Sequence, residues 1–172
     1  MKIDVTPIIT DYLGTLRDSN TNKILFADLF FVFGFPVIAS IIAAWIKTAI
    51  TPSFYLSLFT LFGVFAAVLI ALQSNLLQIS DIPRKQSKDP AVDKRLKGLH
   101  ESRQTLAKEV CYAISYLELF FVFSIIYLII PIALNSDLFL FKWTSIFLLF
   151  HALMNILIIL RRFHALFRNQ FE

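Results

Sequence analysis

Long uninterrupted runs of apolar residues dominate this chain, and polar segments separate them. Four runs are long enough to cross a bilayer, whose hydrocarbon core of about 30 Å needs about 20 helical residues. The predicted spans are Ile24–Ile46, Phe54–Leu77, Val110–Leu134 and Phe139–Leu160. The resulting segments are an arm at 1–23, a first hairpin at 24–77, a basic loop and helix at 78–109, a second hairpin at 110–160 and a tail at 161–172. We therefore predict an all-α integral membrane protein with four transmembrane helices.

A repeated sequence relates the two hairpins. The stretch DLFFVFG begins at Asp28, and ELFFVFS begins 90 residues later at Glu118. Where the hairpins end, VLIALQS from Val68 resembles ILIILRR from Ile156 at an offset of 88 residues. Both copies would enter the membrane from the same side, which predicts two parallel hairpin repeats. Chance matching of the abundant Leu and Phe is the alternative explanation.

Two further helices are predicted outside the spans. In the arm, Thr6 is a candidate N-cap ahead of Pro7, and the apolar residues that follow share one face of an amphipathic helix. This helix would lie either on the membrane or on the protein. A heptad-like seam with alternating spacings of four and three begins at Val92. It comprises Val92, Leu96, Leu99, Arg103, Leu106, Val110, Ala113 and Leu117. We expect one long helix from near residue 90 that extends the third span into the cytoplasm.

The distribution of basic residues predicts the orientation. The arm, the loop at 78–109 and the tail together carry 14 Lys and Arg, whereas the two opposite connections carry only Lys47 and Lys142. Cytoplasmic loops of membrane proteins hold the excess of Lys and Arg. Both termini and the central loop are therefore predicted to be cytoplasmic, with Trp45 and Trp143 at the opposite interface.

Each predicted span carries one polar side chain near its cytoplasmic end: Asp28, Gln73, Glu118 and Asn155. A charged residue costs about 2.5–3.5 kcal/mol at mid-bilayer and less near the interface. These residues could form a polar ring at the inner mouth of a pore, where carboxylates favour cations. Alternatively, they could hydrogen-bond between helices or pair with lysines. His151, one turn from Asn155, is a fifth candidate for the ion path, with a packing role as its alternative.

The loop at 78–109 has a net charge of +3 and contains a dense group of six basic residues. We predict that they contact anionic lipid or an anionic ligand. They are Arg84, Lys85, Lys88, Lys94, Arg95 and Lys97. Aromatic residues that could stack on bases are missing between Phe65 and Tyr112, so nucleic-acid recognition is not expected.

Enzymatic and metal-binding motifs do not occur in the sequence. It has no serine-nucleophile motif, no glycine-rich phosphate loop and no zinc-protease motif. Cys111 is the single cysteine, and His151 has no second histidine on its span. We therefore expect no enzyme activity, no cofactor and no metal site.

Three features define the layout of the chain: the short arm YLGTLRDSNTNK (Tyr12–Lys23), the Phe-rich first span and the basic loop between two hairpins. In these features it resembles the small four-span membrane effectors of bacterial anti-phage defence, such as the Hailong type. It implies a homo-oligomer in the bacterial inner membrane that is controlled by a cytoplasmic partner or ligand and depolarises the cell by conducting ions. A non-conducting membrane scaffold and a small-solute transporter built from parallel repeats are the alternatives.

Overall fold

The computed structural model describes residues 5–16, 26–45, 51–80, 90–134 and 138–171. Nearly all of these residues are helical, and strands are absent from them. The elements are α1 (Thr6–Thr15), α2 (Phe26–Leu29), a π-helical turn (Phe30–Gly34), α3 (Phe35–Trp45), α4 (Pro52–Ser80), α5 (Pro90–Leu134) and α6 (Phe139–Phe171). The predicted all-helical fold is confirmed.

Four segments of this structure are long and apolar enough to cross a membrane. They are Phe26–Ala43, Ser53–Leu76, Ala91–Leu134 and Phe139–Ala165. Large apolar side chains cover their outer faces, and Ile42, Leu56 and Ile126 are each more than half exposed. Soluble monomers rarely expose such extensive apolar surface, whereas a helix that faces lipid has an apolar surface of this kind. The chain is therefore a multi-pass helical membrane protein.

Helices α5 and α6 form the centre of the bundle. They contact each other, and α4 packs against α5 while α3 packs against α6. The two spanning helices of the first hairpin thus have their main partners in the second hairpin. Aromatic side chains fill the core between α4 and α5, where the Phe62 and Phe121 ring centroids lie 5.1 Å apart.

Helix α5 is a single uninterrupted helix, as the spacing predicts, and Pro131 lies inside it. At about 1.5 Å per residue it is more than twice as long as a bilayer core is thick. Its heptad-like seam has two different environments: Val110 and Leu117 are fully buried in the core, whereas Val92 is 45% exposed. The second half of the seam is therefore the core-facing stripe of this helix.

Helix α1 lies on the protein, with one face against α5. Tyr12 and Leu16 are buried, while Ile9 is 40% exposed. The predicted N-cap is wrong by one residue, because Val5 occupies the cap without a side-chain hydrogen bond and Thr6 is already helical. A proline within the first turn is tolerated because its missing N–H would have had no helical acceptor.

Candidate functional site

Four of the five polar residues predicted on the spans lie in two hydrogen-bonded groups at one end of the bundle: Gln73, Glu118, His151 and Asn155. We call this the basic end, because Lys108, Arg161 and Arg162 lie there. The first group joins Gln73 to Glu118 between α4 and α5. The second group contains Asn155 and His151 and lies between α6, α5, α1 and the π-helical turn.

In the first group, Glu118 is hydrogen-bonded to a neutral side chain, Gln73. Ser115 and Glu118 are three residues apart on α5, so both face Gln73 on α4. In the amide orientation that gives each atom a complementary partner, Gln73 Nε2 donates to the two Glu118 carboxylate oxygens at 3.2 and 3.3 Å. Gln73 Oε1 then accepts from the Ser115 hydroxyl at 2.9 Å. Glu118 remains half-buried, so part of this residue reaches the bundle surface.

In the second group, both ring nitrogens of His151 are occupied. The ring is 1% exposed, and its Nδ1 lies 2.9 Å from the Val32 carbonyl oxygen. Because a carbonyl can only accept, Nδ1 carries the proton and Nε2 accepts from the Tyr116 hydroxyl at 3.0 Å. The Phe120 ring also packs against the imidazole, with ring centroids 4.7 Å apart. This geometry is that of a neutral, fully satisfied histidine rather than of a side chain facing an open passage.

The Val32 carbonyl is available to His151 because of Pro36. In an α-helix this carbonyl would accept from the N–H of residue 36, and proline has none. The chain forms a π-helical turn just before this proline, and His151 supplies the missing donor from α6. Gly34 contributes to the same turn, since a Cβ there would come within 2.7 Å of Phe30 Cδ2.

Asn155 is hydrogen-bonded to α1 and so connects this helix to the bundle. The Tyr12 hydroxyl donates to Asn155 Oδ1 at 2.5 Å, and Asn155 Nδ2 donates to the His151 carbonyl at 2.8 Å. The Tyr12 ring also stacks on Tyr116, with centroids 4.0 Å apart and planes inclined by 4°. Burial raises the pKa of Tyr12 above its ordinary value, which keeps its hydroxyl protonated as a donor.

Sequence reasoning missed Tyr12 and Tyr116. In the sequence, Tyr12 lies among the apolar residues of the predicted arm helix, and Tyr116 lies within the third predicted span. Their hydroxyls offered the one available signal, because a buried Tyr usually needs a hydrogen-bond partner.

Arg162 is hydrogen-bonded to the C-terminal end of α1. Its Nη2 donates to the Thr15 carbonyl oxygen at 2.6 Å, which satisfies one of the free carbonyls at a helix C-terminus. Its Nη1 is buried and has no hydrogen-bond partner among the described residues. The carboxylates of Glu109 and Asp28 attract this guanidinium electrostatically. Asp28, half-buried on α2, is thus one of the charges that act on Arg162 beside the second group.

The predicted basic contact residues are only partly described. Arg84, Lys85 and Lys88 lie outside the described residues, as does the side chain of Arg95. Lys94 and Lys97 are exposed on α5. Lys97 Nζ lies 3.9 Å from Glu101 Oε1 one turn away, which is an ordinary surface ion pair.

Within the described ranges, no three His, Cys, Asp or Glu side chains come together in a way that could hold a metal ion. Comparison of this chain with protein-family models, with curated proteins and with solved structures gives no match.

Proposed function

We propose that copies of this chain assemble into a gated, cation-permeable pore that depolarises the bacterial inner membrane in response to a cytoplasmic signal, as in anti-phage defence. It would be a non-enzymatic protein. Both termini and the loop at 78–109 would face the cytoplasm, so that the basic end marks the inner mouth. Lipid and a regulatory partner or ligand would contact the helix and loop that carry the basic residues.

The observation that carries this proposal is the half-buried carboxylate of Glu118. Its hydrogen-bond partner Gln73 is neutral, and Gln73 in turn bonds to the neutral Ser115. An ionised carboxylate against lipid is costly, whereas one that faces water or a neighbouring subunit is not. Rings of such carboxylates attract cations into channels. We therefore place Glu118, and with it the half-buried Asp28, on a water-filled path between subunits.

The protomer interior supports a path between subunits rather than through one. Phe62, Phe121, Leu117 and Leu128 are fully buried in the core, so apolar side chains occupy the space along α5. A homo-oligomer would supply the missing passage, with the number of subunits setting its width.

The parallel repeat also belongs to this proposal. A two-fold axis along the membrane normal would exchange α3 with the spanning part of α5 and α4 with α6. The α3–α6 and α4–α5 contacts would then be equivalent, and these are the principal contacts of α3 and α4. Asp28 and Glu118 would occupy matching positions on the two hairpins.

Ion flux from liposomes tests the proposal. The wild type is compared with the Asp28→Asn, Glu118→Gln double variant and with Glu101→Gln, which removes an exposed carboxylate outside the predicted spans. We expect cation flux in the wild type, a reduced cation preference in the double variant and no change in the control. If neither the wild type nor variants lacking residues 2–16 and 84–97 conduct, although they assemble, the pore is refuted.

A membrane scaffold is the second candidate, favoured by the part of α5 that begins at Pro90. Its Val92, Lys94 and Lys97 are exposed and could dock a partner. A scaffold predicts that substitutions of Lys94 and Lys97 abolish partner binding, while membranes containing the wild type remain impermeable to ions.

A further inference from the structure

Helix α1 is attached to the bundle by a small and specific contact. Tyr12 and the C-cap residue Leu16 are buried, whereas Thr10, Asp11 and Leu13 are exposed. A helix of this length is only marginally stable by itself in water. Its position therefore depends on the bonds made by Tyr12 and on the bond from Arg162 to the C-terminal end of α1.

Withdrawal of α1 would leave a polar pocket that needs water. Asn155 is 2% exposed, and its Oδ1 accepts from Tyr12. Without Tyr12 this oxygen would be left buried and unsatisfied, which is unfavourable unless water replaces the hydroxyl. The face of Tyr116 that now stacks on Tyr12 would also be uncovered. Undocking of α1 is thus coupled to hydration of the pocket.

The same contacts connect α1 to the irregular part of the first span. Tyr116 stacks on Tyr12 and donates to His151. His151 in turn donates to the Val32 carbonyl that Pro36 leaves without its α-helical donor. A change at Tyr12 therefore reaches the π-helical turn through two side chains that are already in contact. Segments of this kind are common sites of helix bending.

We propose that α1 is a latch: docked through Tyr12 it keeps the Asn155 pocket dry and the π-helical turn fixed, and its release is the conformational switch of the protein. One part of this inference rests on the proposed function: in a pore, release of α1 would open the inner mouth beside Asp28. The signal would act by binding and withdrawing α1.

Distance measurements between spin labels test the latch directly. The full chain carries labels at Thr10→Cys on α1 and Ser102→Cys on α5, both exposed positions, with the single native cysteine removed as Cys111→Ser. Labelled protein is diluted with unlabelled protein so that only distances within one subunit contribute. The compared variants are Tyr12→Ala, Tyr12→Phe, Asn155→Ala and the matched control Ile9→Ala.

We expect one narrow distance population in the parent protein and in Ile9→Ala. In Tyr12→Ala and Asn155→Ala a second, broader population should appear, raising the undocked fraction roughly tenfold. Tyr12→Phe, which retains the stacked ring, should give an intermediate fraction. Circular dichroism and gel filtration establish that each variant is folded and assembled.

The latch is overturned if folded Tyr12→Ala and Asn155→Ala give the parent distance distribution. Parallel flux measurements separate this result from a failure of the pore. An undocked α1 in liposomes that stay impermeable supports the latch and refutes the pore. A conducting wild type whose Tyr12→Ala variant keeps α1 docked supports the pore and refutes the latch.

Discussion

The two polar groups at the basic end of the bundle lie in contrasting environments. The Gln73–Glu118 group is half-buried and contains a carboxylate. The group around His151 and Asn155 is enclosed, with both side chains at most 2% exposed. Its donors and acceptors are matched one to one, from Tyr12 to Asn155 and from Tyr116 through His151 to a backbone carbonyl.

This difference distinguishes polar residues that fix the packing of the helices from polar residues that can interact with ions. A fully matched network in a low-dielectric interior favours one arrangement of the helices and has no capacity left for a ligand. The carboxylate of Glu118 can accept about four hydrogen bonds, and Gln73 does not use all of that capacity. Ion chemistry is therefore expected at Glu118 and not at His151.

The largest effect is expected from His151→Phe. This change keeps an aromatic ring but leaves the Tyr116 hydroxyl and the Val32 carbonyl without partners. Each unsatisfied buried group costs about 1–3 kcal/mol, so the free energy of unfolding should fall by about 2–6 kcal/mol. Unfolding in detergent micelles measures it, with the exposed His164→Phe as the control. Equal stability of the two variants would show that the network does not support the fold.

A smaller effect should come from the coupling between His151 and Pro36. Pro36→Ala restores an N–H that can donate to the Val32 carbonyl in the α-helical pattern. The cost of His151→Phe should then be lower by about 1 kcal/mol in the Pro36→Ala background. A double-mutant cycle of unfolding free energies measures this coupling. Strict additivity of the two changes would refute the proline-to-histidine connection.

The sequence pattern predicted the helices of this fold because few backbone structures are stable in lipid. A run of about 20 apolar residues in a bilayer must satisfy its backbone internally, so it becomes a helix. The start of α5 at Pro90 agrees with the seam that begins at Val92. The packing order was not predictable, since the outer faces of α3 and α4 are similarly apolar and nothing local selects α6 or α5 as their partner.

The polar residues of the candidate site were predicted, but the hydrogen bonds that connect them were not. Depth along each span identified Asp28, Gln73, Glu118 and Asn155, because a polar residue in an apolar run is visible locally. The bond from Tyr12 to Asn155 joins residues 143 positions apart, and its recognition depends on tertiary structure. The role of His151 similarly required knowing that its ring meets the Val32 carbonyl, 119 positions away.

The smallest effect on stability is expected at the half-buried Gln73–Glu118 group. Gln73→Leu removes the donor to Glu118, but the half-buried carboxylate can turn towards water. Hydrogen bonds between membrane helices average about 0.6 kcal/mol, and the free energy of unfolding should fall by about that amount. The matched control is Gln104→Leu at an exposed position of α5. A loss as large as that of His151→Phe would mean that the two groups are structurally alike.

The most direct test of this division is the cation-to-anion permeability ratio of Glu118→Gln beside that of His151→Phe. Reversal potentials in planar bilayers under a KCl gradient give both ratios. Removing the carboxylate should lower the ratio by about tenfold, as the loss of a nearby charge in a partly polar site would. His151→Phe should leave the ratio of the assembled protein unchanged. A Glu118→Gln ratio equal to that of the wild type would contradict the assignment of Glu118 to the ion path.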